Sequence, residues 1–159
     1  MNKKFFLIFV VLALLGTGGL FAQNNGYVKP TFSLGFTAAS EEKESLTLVT
    51  MGFDIDFVSY LGLTLGTQFT MSWKTGEIGP DEASFYAFGG GYTYDAGVWS
   101  AGGKLMAIPW GDGGIGFDIN GTYYFTEAIG VTGIMDIYFG VGTISWMAFS
   151  LRIGLSVKI

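Results

Sequence analysis

From Met147 to Ile159 the chain alternates without a break. Met147, Phe149, Leu151, Ile153, Leu155, Val157 and Ile159 are large and apolar, and the residues between them (Ala148, Ser150, Arg152, Gly154, Ser156, Lys158) are small or polar. A period of two is strand geometry, because successive side chains leave opposite faces. A soluble strand usually runs roughly 5 to 6 residues, whereas a tilted strand crossing a bilayer needs about 9 to 11. The terminal segment is long enough for the second case.

The same alternation recurs from Tyr27 onward and predicts seven more strands. Their spans are Tyr27 to Thr37, Thr47 to Phe57, Leu61 to Trp73, Ser84 to Tyr94, Gly97 to Ala107, Ile115 to Phe125 and Ile129 to Phe139. Each sets a bulky face against a small or polar one: Phe32, Leu34 and Phe36 against Ser33 and Gly35, and Phe117, Ile119 and Tyr123 against Asp118, Asn120 and Thr122. Gly89-Gly90-Gly91 interrupts the fourth segment and predicts a bend or bulge there.

The links alternate in length. Val58-Ser59-Tyr60, Asp95-Ala96 and Thr126-Glu127-Ala128 are short, while Ala38 to Ser45, Lys74 to Glu82 and Ile108 to Gly114 are longer and more polar. An even number of strands with short turns at one end and longer loops at the other is the pattern of barrels that cross an outer membrane. The expected fold is an all-β, eight-stranded antiparallel up-and-down transmembrane β-barrel.

Charge decides which face meets lipid. Lys29, Asp54, Asp56, Lys104, Asp118, Asp136, Arg152 and Lys158 all fall on the small or polar face, four acidic and four basic. An eight-strand lumen is just wide enough for side chains, so the Gly, Ser and Thr face suits it and the bulky face would overfill it. The bulky face then points outward, which water does not tolerate over so large an area. The eight ionised residues become a candidate lumen network. Expected neighbours are Lys104 with Asp118, Lys29 with Asp54 or Asp56, Asp136 with Arg152, and Lys158 with Lys29 and its carboxylates. Trp73 and Tyr86 at one end, and Tyr94, Trp99 and Phe125 at the other (with Phe57 and Tyr60), are candidate interfacial aromatics. Trp110 lies in the third long link, and Trp146 has lumen parity at the outer mouth.

Composition narrows the functional classes. Half of the residues are apolar, Gly numbers 26 and Pro 3, which excludes a disordered chain. Neither Cys nor His occurs, so no disulfide or Cys-ligated metal site is possible and the commonest general base is missing. No cofactor or metal site is expected. The net charge is −5, which disfavours nucleic acid. Residues 1 to 22 read as a secretory signal peptide: Lys3 and Lys4, an apolar run from Phe5 to Leu15, then small residues up to a cleavage point after Ala22. The barrel is then 23 to 159.

The signal peptide, the eight alternating strands and the closing strand together resemble the small eight-stranded outer-membrane barrels of the OmpX and OmpA transmembrane-domain type. The resemblance covers the whole mature chain and rests on architecture. It implies residence in a bacterial outer membrane, membrane lipids as partners, and insertion machinery that reads the closing strand. Barrels of this type typically end on an aromatic residue; here the last residue is Ile159. Barrel enzymes of the lipid-A palmitoyltransferase, lipid-A deacylase and outer-membrane protease kinds use a catalytic His, which this chain lacks. The expected role is therefore non-enzymatic, structural or surface-interacting, with short acidic outer loops (Glu41, Glu42, Glu44, Glu77, Asp81, Glu82 and Asp112 against Lys43 and Lys74) and no named external ligand. The alternative is a narrow channel or a conduit for a small or hydrophobic substrate, with the lumen glycines leaving a path.

Overall fold

Eight antiparallel strands close on themselves in chain order. They are β1 (Tyr27–Glu41), β2 (Glu44–Val58), β3 (Leu63–Lys74), β4 (Ala83–Asp95), β5 (Trp99–Ile108), β6 (Gly114–Tyr124), β7 (Ile129–Gly140) and β8 (Trp146–Val157). This computed structural model describes residues 26–41, 44–74, 83–109, 113–141 and 146–159. The signal segment 1 to 22, Trp110 and most of the acidic link residues lie outside them. β8 pairs with β1 from Thr31 opposite Ser156 to Glu41 opposite Trp146. Val28 and Ile159 extend that seam by exchanging backbone hydrogen bonds of 2.9 Å. No sheet edge is left unpaired, which is the condition for a β structure in lipid.

The period-two pattern survives as alternating burial. β6 is strictly alternating, Gly114 buried and Ile115 exposed through to Tyr124 buried. The bulky side chains line the outside: Phe36 is 61 % exposed, Leu105 57 % and Ile153 65 %. Leaving one such side chain in water forfeits roughly 1.5–3 kcal/mol. Dozens of them outweigh a folding stability of about 5–15 kcal/mol, so this wall belongs in lipid. Phe57 shares the outward parity yet is buried.

Three boundaries differ from the sequence expectation. The polar link Ala38 to Ser45 is mostly strand: the β1–β2 ladder runs on to Glu41 opposite Glu44, because backbone pairing does not require apolar side chains once the hairpin is in register. The first tight turn ends later, with β3 starting at Leu63. Ser59 N–H donates to Leu63 O at 2.8 Å and Gly62 takes a positive φ of 83°, a conformation that glycine reaches without steric cost. The turn after β4 is Ala96 to Val98, one residue longer than expected, with Gly97 N–H donating to Asp95 Oδ1 at 2.8 Å. Gly89 to Gly91 do not interrupt β4. Carbonyl oxygens of Leu105 and Gly103 sit where a Cβ on Gly89 or Gly91 would stand, so the glycines let β5 approach instead of breaking the strand.

Candidate functional site

The inward face of the barrel carries a braced charge cluster. Lys29, Asp54, Asp56, Lys104, Asp118, Asp136 and Arg152 are each no more than 4 % exposed. Cross-strand register sets Lys29 opposite Asp56 and Lys104 opposite Asp118. The ion pairs measure 3.6 Å for Lys29–Asp56 and 3.5 Å for Lys104–Asp118. Lys104 makes its shortest pair, 2.6 Å, with Asp56 on β2. Arg152 on β8 forks between two strands. Its Nη1 and Nη2 donate to the two oxygens of Asp54 at 2.9 and 3.4 Å, while Nε and Nη2 donate to Asp136 Oδ2 at 3.0 and 2.7 Å.

Neutral residues complete the braces. Lys29 Nζ donates to Asn120 Oδ1 at 3.1 Å, Asn120 Nδ2 donates to Asp118 at 2.7 Å, and Gln68 Nε2 donates to Asp136 at 3.2 Å. Tyr138 donates its hydroxyl to Gln68. Several of these bonds cross the lumen rather than the seam between neighbours: β1 to β6, β3 to β7, β5 to β2. Buried charges are tolerable when paired and hydrogen-bonded in this way. The gap among Lys29, Asp54, Asp56, Lys104, Asp118 and Asn120 holds no water-sized space.

Hydroxyls line the wall beside the charges. Thr31, Ser156, Thr132 and Thr122 join four adjacent strands by hydroxyl bonds, and Thr37, Thr50 and Ser72 join β1, β2 and β3 at 2.6 and 2.8 Å. Toward the long-loop end the lumen turns apolar: Ala87, Met106, Ile108, Tyr138 and Ala148 pack together, with Ala39 and Trp146 partly buried against them. Two of the lumen glycines make room for large side chains. A Cβ on Gly52 would fall on Arg152 Nη1, and one on Gly116 would fall inside the Tyr138 ring.

Lys158 departs from the expected network. The seam places it level with Lys29, since Thr31 pairs with Ser156 and Val28 with Ile159. Like charges directly opposite repel, and Lys158 instead crosses the turn-side mouth to Asp95 at the end of β4, at 2.6 Å. Its ammonium lies 4.4 Å from the Tyr27 ring centroid and 5.6 Å from that of Tyr124. Asp95 reads as a turn residue in the sequence, and it closes β4 with inward parity. Of the candidate interfacial aromatics, Tyr86, Tyr94, Trp99 and Phe125 are exposed on the outer wall and Trp73 is half-buried. Tyr94 and Trp99 pair across β4 and β5, their centroids 5.4 Å apart.

A closed wall of eight strands with an inverted face pattern can be set against solved structures. Neisserial surface protein A superposes with a TM-score of 0.60 at 16 % identity, over 84 % of this chain and 97 % of that one. The fold is that of the small eight-stranded outer-membrane barrels. A de novo designed transmembrane β-barrel matches at 0.57 and 12 % identity, over 84 % of this chain and 95 % of the design. Ail, the attachment invasion locus protein of Yersinia pestis, solved with the heparin analogue sucrose octasulfate, matches at 0.56 and 8 % identity, over 84 % and 99 %. No protein-family model and no curated protein sequence matches the chain. Within an eight-stranded barrel of this kind, a lumen with paired charges in the middle and an apolar tier above them can hold the wall together. Among the described residues no group of metal-ligating side chains is assembled.

Proposed function

We propose that this chain is a non-enzymatic integral protein of a bacterial outer membrane, with a structural or surface-presenting role and a lumen closed by its own side chains. The observation that carries this reading is the lumen itself: seven buried charged residues are braced across it, and the gap among Lys29, Asp54, Asp56, Lys104 and Asp118 holds no water-sized space. Export would use residues 1 to 22, and the uninterrupted alternation of the closing strand suits a machinery that reads it.

Catalysis fits poorly. The chain has no His, and Asp54, Asp56, Asp118 and Asp136 each already face a lysine or arginine. Ail's structure holds a polyanion, but the links of this chain carry seven acidic residues against two basic, which would repel such a ligand. The test is to fold the mature chain into detergent and lipid, compare unboiled and boiled samples on a denaturing gel, and record current in a planar bilayer. A heat-dependent mobility shift without steady conductance is expected. A steady conductance that Lys104→Ala alters would move the reading to a narrow conduit.

A further inference from the structure

The turn-side mouth holds a cavity of about 670 Å³, lined by Ser59 and Tyr60 of the β2–β3 turn, Tyr92, Tyr94 and Asp95 of β4, Glu127, and Lys158. Its volume is that of a small-molecule pocket. Its lining comes from both faces of the wall: Asp95 has inward parity, whereas Tyr92 and Tyr94 point outward and are 54 % and 56 % exposed. The cavity therefore straddles the rim and is open to the lipid side as well as to the mouth.

The chemistry of this rim is matched to a zwitterion. Lys158 supplies a cation; Asp95 and Glu127 supply carboxylates. The Lys158 ammonium already sits against one carboxylate and two tyrosine rings, an arrangement that holds an ammonium group by ion pairing and cation–π attraction. The Lys158 and Asp95 side chains keep 27 % and 18 % of their surface exposed, so their pair can exchange without stranding a bare charge in a dry interior.

We infer that this rim binds the phosphoethanolamine headgroup of a membrane phospholipid. The lipid ammonium takes the place of Lys158 at Asp95, and Lys158 turns to the phosphate. One internal ion pair is exchanged for two with the ligand. The acyl chains leave past Tyr92 and Tyr94 onto the apolar wall. This assignment rests on the reading that the wall faces lipid.

The test uses the folded mature chain in a non-ionic maltoside detergent, with binding read by native mass spectrometry. Short-chain phosphatidylethanolamine is compared with phosphatidylglycerol of the same chains, and glycerophosphoethanolamine serves as the chainless control. Phosphatidylethanolamine is expected to bind about fivefold tighter than phosphatidylglycerol, the scale of one partly exposed ion pair. Asp95→Asn keeps the Oδ1 acceptor of the β4–β5 turn and should abolish that preference. Lys158→Met should weaken both lipids. Equal binding of the two lipids, or a preference that survives Asp95→Asn, overturns the site. Glycerophosphoethanolamine competing as well as the lipid overturns the membrane source. The heat-dependent gel shift is scored on every sample, so loss of the barrel is distinguished from loss of the site.

Discussion

The two tiers of the lumen are held by opposite means. The middle is charged, and its seven ionised residues are stable only as a set, each offsetting the cost of desolvating another. The loop-side tier of Ala87, Met106, Ile108, Tyr138 and Ala148 is held by fit. The contrast implies two failure modes in one tube. Deleting a partner in the charged tier strands a charge, whereas an error of volume in the apolar tier only strains its neighbours. Tyr138 joins the tiers, its ring in the apolar cluster and its hydroxyl on Gln68.

The strongest way to break the comparison is Arg152→Met. It leaves Asp54 and Asp136 buried without their cation, and the expected loss is about 3–5 kcal/mol, read as a lower urea midpoint for unfolding from lipid vesicles. Adding Asp54→Asn and Asp136→Asn to the same variant should recover most of that loss, because the stranded charges go with their partner. If the triple variant is no better than Arg152→Met alone, the middle tier is held by shape and not by charge balance.

A smaller effect is expected in the apolar tier. Gly116→Ala would drive a methyl against the Tyr138 ring and the Ile137 carbonyl oxygen, and overpacking of this kind costs about 1–3 kcal/mol. The same urea titration measures it. Combining it with Tyr138→Leu, which frees the ring side of that space but not the Ile137 carbonyl, should relieve part of the strain. Additive losses would show that the two positions do not share that space.

Much of this arrangement was legible in the chain. Parity assigns inward and outward faces for six of the strands, because one buried and one lipid-facing side fixes register strongly, while the glycine-rich β4 and β5 leave their faces open in the sequence and take them from the barrel. Neighbour pairs such as Lys104 with Asp118 followed from hairpin register alone. The bonds that cross the lumen did not: Lys29 to Asn120, Gln68 to Asp136 and Lys104 to Asp56 depend on strand tilt and stagger, which alternation does not encode. Glycine was ambiguous for the same reason. A missing side chain at Gly52 reads as a gap until Arg152 is seen to occupy it. Backbone level alone puts Lys158 beside Lys29, and the repulsion between them, which alternation does not encode, sends it to Asp95.

Lys158 also supplies the smallest predicted effect, and it sharpens the contrast from outside the charged tier. Its pair with Asp95 is as short as any in the lumen, 2.6 Å, yet it lies at the mouth with 27 % of the lysine side chain exposed. Water and salt compete for such a pair, and exposed pairs contribute about 0–1 kcal/mol. Lys158→Ala should therefore lower stability by no more than about 1 kcal/mol, and raising the salt from 0.01 M to about 1 M, which shortens the screening length roughly tenfold, should erase the difference from wild type. Arg152→Met should keep its loss at both salts, because its carboxylates are sealed from the solution. A salt-insensitive loss at Lys158 would place that residue electrostatically inside the charged tier, and the distinction between mouth and middle would then fail.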